Sequence, residues 1–466
     1  MQKVSEAWFA PFRENIIGFQ STFESPWGRK KILYADWTAS GRAYRPIEEY
    51  LQEEVLPYFA NTHTATTFTG RKMSQAYEEA KEIIKHHVCA TPEDVLLFCG
   101  SGMTAAVCKL QRILAHEVAR AVVFITHMEH HSNQINWLER AAKVVIIRSA
   151  PDGNVDLAHL RELLVQYRDW PYKIAAVTAC SNVTGIETPY QEIAVLLHAA
   201  GGLCFVDFAC SAPYVRIDMR ALDAIYFSGH KFLGGPGTPG ILIFKKELYE
   251  NPFPDQPGRV DRIPDQPGRV DRIPDQPGGG TLLYSNPWAE FEYLDDIETR
   301  EDGGTPPILQ GIKLAQCVLL KEEMGVDAML HRERELVLHL LDRLKSIPRV
   351  EVLEPTHRKR LGIVSFVMKD AHYDEVVEML NDRFGIQTRG GCSCAGTYGH
   401  KLLGIDKTRS HEIWQALRAG ETWAKPGWVR ISLHPTMTHA EIDFISDAVE
   451  QIAESVTSSN PRLWCA

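Results

Sequence analysis

Between residues 94 and 244, short apolar runs alternate with stretches of helical spacing, and this alternation limits what the chain can fold into more than any other feature. The segments TAAVCKLQRILA and YQEIAVLLHAA have the apolar spacing of helices. The apolar runs that flank them are typical of strands buried on both faces. Strands that alternate with helices predict an α/β fold with a mostly parallel sheet. The runs read DVLLFCG, AVVFITH, KVVIIRS, KIAAVTAC, GLCFVDFAC and GILIFKK.

The sequence after about residue 296 is organised differently. A long helical run, PPILQGIKLAQCVLLKEEMG and then HRERELVLHLLDRLKS, precedes strand-like segments such as GIVSFVM and WVRISLH. This pattern predicts a smaller α+β domain over residues 296–466. Residues 26–295 then form a large domain, and we expect residues 1–25 to be an N-terminal segment that packs with the small domain.

A short repeat interrupts the chain near the end of the large domain. The pentapeptide PDQPG begins at residues 254, 264 and 274, and the unit RVDRIPDQPG occupies 259–268 and again 269–278. Two proline-rich decapeptides cannot stack as a solenoid, so the pattern indicates a local duplication. Removing both copies leaves NPFPDQPGGGTLLYS, which still reads as a complete loop. We therefore expect a loop insertion at 254–278 that is exposed, irregular or disordered.

Composition narrows the class of protein. The chain has 466 residues, of which 44% are hydrophobic and 24% charged, as in globular proteins with more than one domain. Its net charge of −10 argues against a nucleic-acid partner. The N-terminus lacks the apolar core of a signal peptide, and no uncharged apolar stretch is long enough to span a membrane. Ten cysteines without a secretory signal predict reduced thiols, so we expect a cytoplasmic protein.

The stretch SGHKFLGGPGTPG, residues 228–240, places Lys231 between two predicted strands and beside a cluster of glycines. Glycines let the backbone approach closely, so this lysine is poorly placed for a solvated surface charge. A desolvated lysine loses its proton more readily and becomes a nucleophilic amine, the starting point of Schiff-base chemistry. The alternative is a surface loop lysine, and this stretch alone does not decide between the two.

Polar side chains stand at the ends of several other predicted strands. The carboxyl ends of parallel strands converge on one crevice, so we expect these residues to form a single site. The segment CGSGMTAAV at 99–107 leads into a helix, whose first free N–H groups favour an anion. Two adjacent histidines also suggest zinc, but no second ligand pair has suitable spacing, and we expect no metal site. The residues at strand ends are Ser101–Thr104, His130, Asn182, Asp207, His230 and Lys231.

Together these side chains offer an amine nucleophile, an anion cradle, an imidazole that can stack on a ring, and a carboxylate. Pyridoxal 5'-phosphate needs these groups: a Schiff-base lysine, a phosphate pocket, a flat partner for its ring, and an acid that keeps the pyridine nitrogen protonated. Taken singly, the carboxylate of Asp207 could cap a helix, and the glycines at 99–102 could simply form a turn. The set as a whole favours the cofactor.

The chain resembles the class V aminotransferase superfamily of pyridoxal-phosphate enzymes, most closely its cysteine desulfurase and selenocysteine lyase branch. The resemblance extends from YADWTASGRAYRPI (34–47) to VRISLHPTMTHAEI (429–442), and EHHSN, SNVTG, VDFA and SGHK carry it by their order and spacing. It implies a fold-type I homodimer with a large cofactor domain and a small C-terminal domain. It also implies a small amino-acid substrate, with L-cysteine expected, and a possible protein that accepts the sulfur.

The resemblance assigns roles around the cofactor. Lys231 would carry the Schiff base and Asp207 would pair with the pyridinium nitrogen. His130, rather than His131, would stack on the ring, and Asn182 would face the cofactor hydroxyl or the substrate carboxylate. The residues that would hold the phosphate are Met103, Thr104, Ser228, His230 and, within GGTPP of the neighbouring subunit, Thr305.

The small domain would supply the substrate contacts. Arg430 within VRISL matches the arginine that grips the substrate α-carboxylate, since a planar guanidinium fork can hold both oxygens. A structural ion pair is the usual alternative for an arginine on a strand. In TRGGCSCAGTYGHKLLG (388–404), Arg389 would join the substrate contacts, and Cys394 stands where desulfurases carry their nucleophile. Glycines near Cys394 favour an exposed, mobile thiol; two incidental loop cysteines, Cys392 included, are the alternative.

Two departures from the family pattern leave the reaction open. Cys210, which we place among the cofactor contacts, stands where desulfurases commonly have a glutamine beside the ring hydroxyl, and Met437 falls near a position often held by asparagine. We expect a cysteine desulfurase in which Lys231 removes the substrate α-proton, and Cys394 takes the sulfur while alanine is released. The alternatives are another class V enzyme (an aminotransferase, epimerase or lyase) and a non-catalytic binding module that retains the fold.

Overall fold

The structure, a computed structural model, describes residues 6–62, 64, 66–250 and 273–456. None of the helices in these ranges is both long and apolar enough to cross a membrane. The strands in chain order are β1 (Thr22–Ser25), β2 (Gly28–Lys31), β3 (Leu33–Tyr34), β4 (Val95–Cys99), β5 (Ala121–Thr126), β6 (Lys143–Ile147), β7 (Tyr172–Thr178), β8 (Leu203–Asp207), β9 (Ala224–Ser228), β10 (Gly240–Phe244), β11 (Leu282–Ser285), β12 (Phe291–Tyr293), β13 (Val350–Val352), β14 (Ile363–Met368), β15 (Ile386–Gln387), β16 (Arg389–Gly391) and β17 (Trp428–Ser432). The helices are α1 (Glu6–Glu14), α2 (Arg45–Tyr50), α3 (Phe68–His87), α4 (Met103–Ile113), α5 (Ala115–Val118), α6 (His131–Arg140), α7 (Leu157–Gln166), α8 (Tyr190–Ala199), α9 (Lys246–Glu250), α10 (Ile297–Glu301), α11 (Ile308–Met324), α12 (Val326–Ser346), α13 (Tyr373–Phe384), α14 (Gly396–Leu402), α15 (Lys407–Arg418) and α16 (His439–Ser455).

A seven-stranded sheet in the order β4-β10-β9-β8-β7-β5-β6 forms the centre of the protein. Strand β10 is antiparallel to both neighbours, and the remaining strands run in one direction. Both faces are apolar: along β5, Val122 and Phe124 enter one core, whereas Val123 and Ile125 enter the other. Successive residues of a strand point to opposite faces, which explains this alternation. The predicted α/β fold with a mostly parallel sheet is confirmed.

One edge of this sheet collects the carboxyl ends of its parallel strands. Strand β10 begins at the same edge, because its first residue, Gly240, pairs with Ser228 at the end of β9 and with Cys99 at the end of β4. A Cβ atom on Gly240 would lie 2.2 Å from the carbonyl oxygen of Gly102, just before α4. Glycine at 240 therefore lets the start of α4 approach the strand that follows the Lys231 turn.

The C-terminal part of the chain forms a second, antiparallel sheet in the order β13-β14-β17-β16. Helices α12 and α13 pack against it, and α16 packs against these two helices. Two of these helices begin with reciprocal caps, in which Thr438 of α16 is paired with Glu441 and His372 of α13 with Glu375. This arrangement is the α+β organisation that the sequence predicts for the small domain.

The division of the chain into domains stays a prediction, and several contacts bear on its limits. Helix α11 packs against α3 of the large domain, and Glu298 of α10 pairs with Lys85 of α3 at 2.7 Å. We therefore propose that the small domain begins near Gly325 rather than at residue 296. Helix α1 contacts the small domain through Glu6, which pairs with Arg332 of α12 at 2.8 Å.

The repeat lies only in part within the described ranges. Residues 251–272 fall outside them, but the third PDQPG copy, 274–278, is described. The side chain of its Asp275 is buried and accepts two hydrogen bonds from the guanidinium of Arg112, at 2.5 Å from Nε and 2.7 Å from Nη2. The described copy is irregular, as expected for the loop, but an ion pair that the sequence does not predict ties its Asp275 to α4.

Because the repeat copies are identical, two different deletions give the same shortened chain. Removing residues 259–278 yields the same chain as removing 254–273, so either deletion keeps one aspartate at the Asp275 contact. We expect this deletion to leave the melting temperature and the activity nearly unchanged. Asp275→Ala in the full chain should destabilise the protein by about 1–2 kcal/mol, since it removes two charged hydrogen bonds from Arg112, whose side chain is partly exposed to water.

Thermal and urea unfolding would measure both effects. Asp327→Ala is the matched control, because Asp327 binds Arg216 through a similar two-bond fork that is exposed, and exposed pairs contribute little. Loss of soluble protein on deletion, or equal effects of the two aspartate substitutions, would contradict this account.

Candidate active site

A cavity of about 600 Å³ opens at the sheet edge where the parallel strands end. This volume is typical of sites for small molecules and cofactors. The structure brings every residue of the predicted site to this cavity except Thr305. The residues that line it are Thr38, Ala39, Ser101, Gly102, Met103, Thr104, Ala105, Cys108, His130, Ser132, Thr178, Cys180, Asn182, Asp207, Ala209, Cys210, Ser228, His230, Lys231, Arg389, Ser393, Cys394 and Arg430.

Lys231 lies in the short 3-10 turn that follows β9 and faces the cavity. Burial lowers the pKa of its amine, and the positive charges of Arg430 and Arg389 lower it further. The thiol of Cys210 and the carboxylate of Asp207 act in the opposite direction. A lysine in this setting holds its proton less firmly than one in water, which makes its amine available as a base and nucleophile.

Asp207 is the last residue of β8, where it pairs in register with Thr178 of β7 and Tyr226 of β9. Its carboxylate is buried and accepts a hydrogen bond from the backbone N–H of Ala209 at 2.7 Å. Burial raises the pKa of Asp207 to about 6, although this hydrogen bond and the charge of Lys231 oppose the shift. The carboxylate is therefore charged at neutral pH, in a place that favours a cationic partner.

The two adjacent histidines of EHHSN point to different places. His130 caps the N-terminus of α6, where its Nδ1 accepts a hydrogen bond from the N–H of Ser132 at 3.1 Å, and its ring lines the cavity. Burial, and then the charge of Lys231, lower the pKa of His130 to about 3, so its ring is neutral. His131 does not line the cavity; its Nε2 accepts a hydrogen bond from the N–H of Gly396 at 2.8 Å.

The start of α4 forms one end of the cavity. The N–H of Met103 already donates to Ser228 Oγ at 3.0 Å, and His230 donates from Nδ1 to the carbonyl oxygen of Ser101 at 3.1 Å. These bonds hold the first turn of α4 against the Lys231 turn. The hydroxyl of Thr104 also lies here, and the free amide groups of a helix start attract anions.

Asn182 and Cys210 lie deeper in the cavity. The amide of Asn182 donates from Nδ2 to the carbonyl oxygen of Ser393 at 2.6 Å. Its Oδ1 is buried and has no hydrogen-bond partner among the residues that the structure describes. The thiol of Cys210 donates to the carbonyl oxygen of Cys180 at 3.0 Å. An unpaired buried acceptor is costly, so Asn182 Oδ1 favours a ligand that donates a hydrogen bond.

Arg389 and Arg430 are direct cross-strand partners on β16 and β17, and like charges in this position repel each other. Asp36 lies between them and accepts from Arg430 Nη2 at 2.7 Å and from Arg389 Nη2 at 2.9 Å. One carboxylate against two guanidinium groups leaves one positive charge for a ligand anion. Sequence reasoning missed Asp36, because its partners lie 353 and 394 positions away in the chain.

The two loop cysteines differ in their surroundings. Cys394 is exposed and lines the cavity, whereas Cys392 is half-buried against the hydrophobic core. Thr305 lies outside the cavity and its hydroxyl accepts a hydrogen bond from Asn61 at 3.1 Å. A single chain does not test the expected contact of Thr305 with a neighbouring subunit, which stays a prediction.

Comparison with known proteins identifies related sequences over most of the chain. The profile of the family described as aminotransferase class-V matches residues 33–261 and 270–445. A probable cysteine desulfurase of Halalkalibacterium halodurans is 30% identical over 378 residues, which cover 78% of this chain and 84% of that protein. A probable cysteine desulfurase of Staphylococcus aureus is 28% identical over 383 residues, with the same two shares covered.

Solved structures share the fold. An apo structure of a cysteine desulfurase from Thermococcus onnurineus NA1 superposes with a TM-score of 0.76 at 23% identity and covers 95% of this chain and 98% of its own. A cysteine desulfurase from Escherichia coli in an S-sulfonic acid form gives a TM-score of 0.73 at 21% identity, with 96% and 99% covered. At these identities the likeness shows the common fold alone.

The raised pKa of Asp207 predicts a stability effect of known sign. The folded protein binds this proton more tightly than the unfolded chain, so the wild type loses stability as the pH rises from about 4 through about 6. Asp207→Asn removes this loss and keeps an acceptor for the N–H of Ala209. In protein freed of any bound cofactor, the variant should be more stable than wild type by about 3 kcal/mol above pH 6 and nearly equal at pH 4. Urea unfolding at both pH values measures the difference, and a variant less stable than wild type at both would contradict it.

Proposed function

Since the chain belongs to the aminotransferase class-V family, we propose that it is a pyridoxal-phosphate-dependent cysteine desulfurase, which converts L-cysteine into L-alanine and keeps the sulfur on an enzyme cysteine. The observation that carries the proposal is the presence of Cys394 in the same cavity as Lys231 and Arg430. A thiol, an amine base and a carboxylate-binding guanidinium are the three groups that this reaction asks of the protein. The named activity of the relatives supports the same choice.

The cavity fits pyridoxal 5'-phosphate. The start of α4 would hold the phosphate, with Thr104, Ser228 and His230 beside it. An added Cβ on Gly102 would lie 3.2 Å from Ser228 Oγ, so a side chain at this position would crowd the cradle. The anionic Asp207 would hold the pyridine nitrogen in its protonated form. The orphaned Oδ1 of Asn182 and the thiol of Cys210 are the polar atoms available to the ring hydroxyl.

Pyridoxal phosphate supplies an electron-withdrawing ring that stabilises negative charge at the substrate α-carbon. The protein supplies the proton transfer. The amine of Lys231, whose pKa burial lowers, takes the α-proton onto Nζ. The neutral ring of His130, held by its bond from the N–H of Ser132, offers a flat face without adding a positive charge beside Lys231.

Arg430 and Arg389 would bind the α-carboxylate of the substrate. Asp36 cancels one of their two charges and holds both guanidinium groups, so the remaining positive charge matches a single carboxylate. Arg430 Nη1 also donates to the carbonyl oxygen of Asn182 at 3.1 Å, and its Nε–H is a buried donor without a partner among the described residues. These contacts would orient the substrate before the thiol reacts.

Cys394 would carry out the sulfur transfer. Its sulfur attacks the sulfur of the bound cysteine, a sulfur–sulfur bond forms, and the bond between that sulfur and the substrate β-carbon breaks. The electron pair and a proton stay with the carbon skeleton, which leaves as alanine. Thiol plus cysteine thus gives persulfide plus alanine, and the exchange needs no external oxidant. Cys392 packs against the core, which favours Cys394 as the nucleophile.

Several further features belong to the proposal. The protein would act as a homodimer in which Thr305 of each subunit, exposed in the single chain, reaches the cofactor phosphate of its neighbour. A sulfur-acceptor protein would take the persulfide sulfur from Cys394. The cytoplasmic location rests on the sequence composition alone. The other class V reactions remain the rivals, and in each of them Cys394 would be dispensable.

The reaction is tested by the release of sulfide and alanine from L-cysteine with a reductant present. We expect both products from wild type and from Cys392→Ser, and a loss of at least a hundredfold in Cys394→Ser, because serine cannot form a persulfide. Cys392→Ser is the matched control, since it changes the same atom two residues away. No alanine from wild type with cofactor bound would favour a rival class V reaction.

The cofactor assignment has a separate test. Lys231→Ala should lack the visible absorbance of the covalently bound cofactor, because no other residue of the assigned site offers an amine. Borohydride reduction of wild type, followed by peptide mass mapping, should find the cofactor on Lys231. A variant that keeps the absorbance would refute the lysine assignment, and a colourless wild-type protein reconstituted with the cofactor would support a binding module.

A further inference from the structure

The segment that carries the proposed nucleophile, residues 392–397, is here termed the Cys394 loop. Two of its residues have backbone angles that side chains disfavour, with φ of +50° at Ser393 and +56° at Cys394. Residues other than glycine keep such angles only where their surroundings hold them. The contacts of the Cys394 loop should therefore include a residue that holds it in place.

His131 contacts the Cys394 loop at the second residue of the strained pair and again two residues later. Its backbone N–H donates to the carbonyl oxygen of Cys394 at 2.7 Å, and its ring Nε2 accepts from the N–H of Gly396 at 2.8 Å. Gln134, one turn along α6, exchanges hydrogen bonds with the Thr397 hydroxyl at 2.8 and 2.9 Å. From the large domain, therefore, α6 provides most of the contacts that hold the loop.

Helix α6 is itself fixed, so His131 is a rigid anchor. The amide of Asn133 donates to the carbonyl oxygen of Ala176 at 3.0 Å and accepts from the hydroxyl of Tyr226 at 2.8 Å, which ties the first turn of α6 to β7 and β9. An added Cβ on Gly396 would lie 2.9 Å from His131 Nε2. The close approach of loop and imidazole therefore depends on a glycine at this position.

We propose that His131 is a positioning residue that latches the Cys394 loop over the cavity. With the ring bond made, the loop stays in its strained conformation and presents the Cys394 thiol to the substrate. With that bond broken, the loop relaxes to ordinary backbone angles and carries the thiol away from the cavity, towards an acceptor. The use of the two states for sulfur transfer rests on the proposed function, whereas the latch itself does not.

Hydrogen–deuterium exchange on the purified full-length protein with its cofactor tests the latch. In His131→Ala, which keeps the backbone N–H of residue 131, we expect the amides of the Cys394 loop to exchange about fivefold to tenfold faster, the effect of losing one hydrogen bond. His131→Gln should restore wild-type exchange, because a glutamine Oε1 can reach the Nε2 position and accept the same bond. His411→Ala is the matched control, since His411 is exposed on α15 and contacts Gln415.

A second readout separates positioning from damage to the fold. In His131→Ala, kcat/KM for L-cysteine should fall while the visible absorbance of the bound cofactor stays unchanged, and His131→Gln should recover both loop exchange and kcat/KM. Unchanged exchange in His131→Ala would overturn the latch, and so would faster exchange that His131→Gln does not reverse.

A substitution in the Cys394 loop itself provides an independent test, should the variants at His131 fail to fold. Gly396→Pro removes the N–H donor at the first residue of α14, where proline suits a helix, and adds a Cβ that lies 2.9 Å from His131 Nε2, so it should speed loop exchange at least as much as His131→Ala does. Wild-type exchange in Gly396→Pro would overturn the latch. If wild type releases no alanine, the proposed function fails, and the exchange results still decide the latch independently.

Discussion

The site depends first on the ion triad of Asp36, Arg389 and Arg430. The two arginines face each other across β16 and β17, and their repulsion would disfavour this pairing without an anion between them. Asp36 and Arg430 are buried, and removal of one partner from a buried pair costs about 3–5 kcal/mol, whereas Arg389 is partly exposed. Residues near Asp36 reinforce the contact: Thr38 donates its N–H to Ser432 Oγ at 3.0 Å, and Trp37 stacks on a neighbouring histidine. One carboxylate thus joins the small sheet to the wall of the cavity and sets the charge that a ligand meets.

Much of the rest of the site is held at a cost to stability. Burial raises the pKa of Asp207 and lowers the pKa of Lys231 and His130, and each shift marks a group that would be better solvated in the unfolded chain. The left-handed angles of Ser393 and Cys394 add about 1–3 kcal/mol each. Two apolar cores, one on each face of the central sheet, offset these costs. A site with a reactive amine and a strained thiol loop therefore needs the rigid parallel sheet beneath it.

The sequence predicts those parts of the site whose signal is local. A polar residue at the end of an apolar run identifies Asp207, Asn182 and Lys231, because the run predicts the strand and the fold then brings the strand ends together. Asp36 and the loop contact of His131 stay hidden, since their partners lie hundreds of positions away and no local pattern predicts a hydrogen bond. The repeat shows the same limit: its composition predicts an irregular loop but not that the buried carboxylate of Asp275 pairs with Arg112 of α4.

The adjacent histidines of EHHSN illustrate how one helix start can serve two tasks. His130 precedes the first turn of α6 and turns its ring into the cavity, while His131 begins the turn and directs its ring to the Cys394 loop. Both positions are fixed by the same anchored helix, so α6, together with the bond from Asn182 to Ser393, sets the distance between the flat ring and the thiol loop. Arg389 and Arg430, which we propose bind the substrate carboxylate, are held through the small sheet and Asp36. In the proposed latch, release of the His131 bond leaves the bonds from both arginines to Asp36 in place, whereas the bond from Asn182 to Ser393 remains a second tie on the loop.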